Sequence, residues 1–89
     1  MLKYKSILLL SGDYRHEEKT HSSLKAAQKY ILTSIKPGTH RAAWIIRSEM
    51  GKERKLPGQY EVHKMGSKTG LYRRMNRPNR LAMKPVMTL

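Results

Sequence analysis

Apolar and polar positions change rhythm along the chain, and each change marks an element. Leu2–Leu10 (LKYKSILLL) starts with apolar residues and lysines alternating and ends in a continuous apolar run. That pattern predicts a strand whose later half is buried on both faces. Ser11-Gly12-Asp13 punctuates the chain, and residues 14–21 (YRHEEKTH) are too polar for a core, so they read as a loop. Ser22 or Ser23 then caps a helix. Leu24, Ala27, Ile31 and Ile35 recur at spacings of three, four and four, a single apolar stripe that Leu32 widens. Lys36 falls in the last turn, where a cation suits the dipole, and Pro37-Gly38 closes the element.

Two further runs follow. Trp44, Ile45 and Ile46 stand between polar ends in residues 40–50, residues 51–58 (GKERKLPG) carry turn chemistry, and Gln59–Met65 (QYEVHKM) alternates again. This predicts an antiparallel hairpin with Tyr60, Val62 and Lys64 on one face and Glu61, His63 and Met65 on the other. Beyond Gly66 the acidic residues stop. A short strand over residues 70–73 and one turn of helix around Arg80 to Lys84 fit the pattern, while Pro78 and Pro85 forbid a single long helix. The expected fold class is α+β: a strand-helix-strand-strand body over residues 1–66, with one helix on an antiparallel sheet, then a basic, Pro-containing arm over residues 67–89.

Length and charge sharpen this picture. Eighty-nine residues make one small unit, and 19 Lys and Arg against 6 Asp and Glu leave a net charge of +13, which repels itself unless an anionic partner neutralises it. A body of about 65 residues supplies few kcal/mol from its core, so dimerisation or a bound partner would add stability. Cys is absent, which excludes a disulfide framework and a thiolate zinc site. The run Ile7 to Leu10 behind Lys3 and Lys5 is too short for a signal peptide, and no apolar stretch reaches the roughly 20 residues of a membrane span. A soluble, cytoplasmic protein without membrane contact is the expectation.

Candidate chemistry is sparse. His16-Glu17 with His21 resembles a metalloprotease helix, but a spacing of five rotates the second histidine by about 140°, off the shared face. The segment from Met65 to Gly70 has the Gly, Lys and Thr of a phosphate loop in the wrong order, and Ser22 with Lys25 and Lys68-Thr69-Gly70 match two penicillin-binding motifs without the third. His63 with Glu61, on one face of a strand, is the most conspicuous acid/base pair, and a solvated polar pair is its simpler use. No catalytic residues, metal or cofactor are expected, and the protein reads as a non-enzyme.

What remains is a summed positive field. Lys64, Lys68, Arg73, Arg74, Arg77, Arg80 and Lys84 gather behind residue 62 with Tyr72 among them, and Lys52, Arg54 and Lys55 form a second cluster on the hairpin tip. Guanidinium groups pair with phosphates and aromatic rings stack on bases, which points to a small nucleic-acid-binding protein, with RNA slightly ahead of DNA. Trp44 reads first as core, with base stacking as its alternative use. The rival function is a small protein-binding modulator, of the kind made by mobile-element genes, whose basic arm docks on an acidic protein surface. Leu71, Tyr72, Met75, Leu81 and Met83 would then be its anchors.

Overall fold

The computed structural model describes residues 2–12, 14–77 and 80–89, and for 75–77 and 80–82 it describes the backbone alone. Its elements are β1 (Leu2–Leu10), β2 (His16–His21), α1 (Leu24–Ser34), β3 (His40–Glu49), β4 (Lys52–Lys55), β5 (Gln59–Met65), β6 (Lys68–Arg77) and β7 (Arg80–Thr88). The strands all pair antiparallel in one 7-stranded sheet of order β2-β1-β3-β5-β6-β7, with β4 on β3 beside β5. The α+β expectation holds broadly, with the sheet dominating.

The first strand and the helix lie where the periodicity put them. Ser23 is the N-cap, its Oγ accepting the Ala26 N–H at 3.1 Å. The helix ends at Ser34 with Ile35 as C-cap, so Lys36 stands outside its last turn. The reason is Pro37, whose ring disfavours helical backbone at the residue before it. Because β2 and β3 run parallel on either side of β1, the chain between them must cross β1, and α1 makes that crossing on one face of the sheet. Ala27, Ile31 and Ile35 pack there on Leu8, Ala43 and Ile45, and Tyr60 and Leu71 continue the core beneath β5 and β6. Ser6, fully buried, donates its hydroxyl to the Ala27 carbonyl at 2.9 Å and ties β1 to the helix.

Three expectations are corrected. Residues 14–21 are not all loop: His16–His21 form β2, paired along β1 from Leu9↔His16 to Tyr4↔His21. Its charges suit an edge strand, where they discourage pairing with another chain. Residues 51–58 are not one long turn. The chain reverses at Met50-Gly51, whose φ values of 50° and 80° fit a two-residue primed hairpin turn, and Lys52–Lys55 return along β3 as β4. β5 therefore meets β3 only at Ala42↔Glu61 and Ala43↔Tyr60, after a link through Leu56-Pro57-Gly58.

The third correction concerns residues 67–89. They form no extended arm and no turn of helix around Arg80 to Lys84; β6 and β7 extend the sheet from β5. β6 carries Leu71, fully buried, at Val62↔Leu71, so a basic segment also contributes core. Pro85 is accommodated because β7 is an edge strand, paired on one side only.

Candidate nucleic-acid interface

Strand alternation sorts the side chains into two sets. The helix-side set includes Tyr4, Ser6 and Leu8 of β1, Ala43 and Ile45 of β3, Tyr60 and Val62 of β5, and Leu71 and Arg73 of β6. The opposite set includes Lys3, Lys5, Ile7 and Leu9, then Ala42, Trp44 and Ile46, then Lys55, Glu61 and His63, then Lys68, Tyr72 and Arg74. The helix contacts β1, β2 and β3 from one side, and no described helix covers the other. On that open face Ile7 and Ala42 are nonetheless buried, flanked in register by Trp44, Leu9 and Glu61.

Trp44 is the correction here. It does not belong to the packed core but stands half-buried on the open face, with the Lys55 ammonium 4.8 Å from its ring centre. The Lys55 Nζ also donates to Gln59 Oε1 at 2.9 Å. Such a cation on an accessible ring is worth about 0.5–1 kcal/mol, less than the roughly 1–3 kcal/mol of a stacked base. Tyr72 lies on the same face, two strands over, and packs edge-on against His63 with ring centroids 5.9 Å apart.

Beside Trp44 the chain narrows to the 56–58 link, and cations converge on it from two elements. Lys55 and Arg74 border a hollow of about 360 Å³ with Gln59, Pro57 and Gly58. Arg54 adjoins it from the strand's other face, and Arg73 supports the link from below. Gly58 has φ 91°, and a Cβ there would lie 2.5 Å from Arg73 Nε, so the tight approach depends on glycine.

The arginines are less free than the sequence implies. Arg74 forks Glu61, and His63 Nε2 lies 2.7 Å from Glu61 Oε1. Glu61 is held below the usual carboxylate range chiefly by the Arg74 hydrogen bonds, against the opposing effect of burial. Arg73 sits over the Tyr60 ring at 5.7 Å and donates from Nη2 to the Pro57 carbonyl at 3.3 Å, on the helix side. Both are partly structural, which corrects the picture of a freely offered basic arm. The Arg77 and Arg80 side chains lie outside the described residues. Lys84 is exposed opposite Arg73, Lys64 is exposed on the helix side, and on β4 Lys52 flanks the Met50-Gly51 tip, paired with Glu49, while Arg54 lies two residues further along the strand.

The predicted set thus divides. Lys55, Lys68, Tyr72 and Arg74 share the open face, whereas Lys52, Arg54, Lys64, Arg73 and Lys84 do not. Sequence reasoning missed Lys5, which joins that face and donates to Glu53 at 2.8 Å. Its alternation with Tyr4 and Ser6 was the available signal.

Among the described residues the two hydrogen-bonded His–Glu pairs are both engaged, and His16 stands 4.0 Å from Glu18 on exposed β2. Glu61 with His63 is tied to Arg74. Buried His40 accepts the Lys36 N–H at Nδ1, which leaves its proton on Nε2 for Glu17 Oε1 at 2.6 Å. Among the described residues no three His, Asp or Glu converge to hold a metal ion, and no helix is long and apolar enough to cross a membrane. Comparison with protein-family models, curated proteins and solved structures finds no match.

Proposed function

We propose that this protein is a non-catalytic nucleic-acid-binding module that uses the sheet face opposite its helix. The observation that carries the reading is the shared placement of Trp44 and Tyr72 with Lys5, Lys55, Lys68 and Arg74 on that face. Cations there meet phosphates and the rings meet bases, the combination that nucleic-acid-binding surfaces use. The net charge of +13 adds long-range attraction for a polyanion. As support for binding rather than catalysis, the strongest acid/base pair is spent on Arg74, and His40 Nδ1 is occupied by a backbone donor.

Fluorescence anisotropy with labelled oligonucleotides across a salt series tests this. Neutralising about five phosphates gives a slope of log K on log salt near −4.5 for a duplex and near −3.5 for a single strand. A flat response counts against the reading.

A second reading has its own observation. Met65, Val86 and Met87 are exposed apolar residues around a hollow of about 260 Å³ that Lys68 and Tyr72 also line, a surface suited to an acidic protein partner. Pull-down before and after nuclease treatment separates the two. One stoichiometric protein retained after nuclease favours the protein-binding modulator.

A further inference from the structure

We infer that the ligand of the open face is single-stranded nucleic acid, with one base stacked on Trp44 and the adjoining phosphate held at the cationic hollow beside the 56–58 link. The inference rests on the nucleic-acid reading above and narrows it to a ligand class.

Shape is the first argument. The pairing order places six strands side by side, roughly 24 Å of sheet at about 4.8 Å per strand. The major groove is about 12 Å wide and accepts a helix or a two-stranded ribbon, so this face cannot enter it. Laid on the outside of a duplex, the face would meet phosphates alone, because paired bases keep their π faces inside the stack. A single strand instead lies along a flat sheet and turns its bases onto it.

The arrangement around Trp44 favours the same ligand. Its ring faces the Lys55 ammonium at 4.8 Å, and Lys55 is an exposed, flexible side chain steadied by Gln59. A base displaces that ammonium at a net gain, since stacking on an aromatic ring exceeds an exposed cation–π contact. The displaced ammonium remains at the rim of the hollow that Arg74 also borders, where the phosphate next to the stacked base arrives. Arg74 already uses Nε and Nη2 for Glu61, and Nη1 takes no part in that fork. Glu61 thus orients the guanidinium. Tyr72, roughly 10 Å across the strands from Trp44, offers a second ring to the same strand.

The test uses the full chain, whose single tryptophan is the reporter. Oligo-dT and oligo-U of about 12 nucleotides, and a duplex of equal length, are titrated against Trp emission and, with end-labelled ligands, against anisotropy. Emission should be quenched by either single strand, and single strands should bind at least about tenfold tighter than the duplex. The two homopolymers separate DNA from RNA as the preferred strand. Trp44→Leu should weaken single-strand binding about tenfold, and Trp44→Phe, which keeps a ring, should stay within about threefold. Lys55→Ala should make the salt slope shallower by about 0.7. Circular dichroism checks each variant's fold, and should Trp44→Leu fail to fold, the emission change and the Phe variant decide. Duplex binding as tight as single-strand binding, or single-strand binding without an emission change, overturns this inference and leaves polyanion binding standing. Failure of all three ligands to bind overturns the nucleic-acid reading itself.

Discussion

Arg74 grips both oxygens of Glu61 across β5 and β6, Nε to Oε2 at 2.7 Å and Nη2 to Oε1 at 3.0 Å. The pair is only partly exposed, and it fastens the basic β6–β7 hairpin to β5 with charge-assisted bonds. Glu61→Gln keeps the shape, removes the charge and disturbs one arm of the fork. It should lower the midpoint of chemical denaturation. Unchanged denaturation would show that the fork holds nothing together.

Acid should weaken the fold in two steps. His21 is shifted below its ordinary 6.5, first by burial against Tyr30 and then by Lys19, so folding favours its neutral form. Its contribution is complete above about 6.5 and is lost as pH falls through the lower folded value. Glu61 is shifted below its ordinary 4.5, chiefly by Arg74, so its contribution is complete above that value and is lost as pH falls further. Melting temperature followed from pH 8 down to pH 3 should fall at both stages. His21→Asn should flatten the upper stage alone, and Glu61→Gln the lower alone.

The contrast between these two residues also measures what the chain's pattern discloses. Local rhythm located β1, the helix stripe and the two faces of β5, because burial imposes period 2 or 3.6 on neighbouring residues. It could not reveal β2, whose HEEKTH has no apolar side to bury: this edge strand is held by backbone bonds to β1, a partner outside its own segment. Residues 67–89 misled in a similar way. Their arginines imitate a solvated tail, yet Leu71 is core and Arg74 and Arg73 are bound to Glu61 and Pro57, pairings that only the strand register creates. For the site, the cations and Tyr72 were legible by type. The separation of Arg73 from Arg74 onto opposite faces depends on alternation within a strand the pattern barely marked.

Met50 sets another expectation. It occupies the first position of the β3–β4 turn with φ 50° and is 86% exposed, so it holds left-handed backbone with no compensating burial. A non-glycine side chain there costs about 1–2 kcal/mol, and Asn bears the conformation better. Met50→Asn places Asn before Gly51, the favoured pair for this turn. It should raise stability by about 0.5–1 kcal/mol by denaturant titration while leaving oligonucleotide affinity unchanged. A loss of affinity would instead assign the exposed methionine to the ligand.

Charge-matched variants on the two faces separate a located site from a diffuse field. Lys25 and Lys29 lie exposed on the helix, whereas Lys55 and Lys68 lie on the opposite face of the sheet. Lys25→Ala/Lys29→Ala and Lys55→Ala/Lys68→Ala each remove two positive charges, so an effect of net charge alone would be equal in both. The molecule is 24 Å across even in its shortest dimension. The Debye length at physiological salt is about 8 Å, so charges on the helix are largely screened from a ligand on the far face. The open-face variant should therefore make the slope of log K on log salt shallower by about 1.4 for a single strand and weaken binding markedly at 0.15 M salt. The helix variant should change neither by more than about a quarter of that. Equal losses would mean that the positive charge acts as a whole and that no face is privileged; a larger loss from the helix variant would move the ligand to the side that α1 covers.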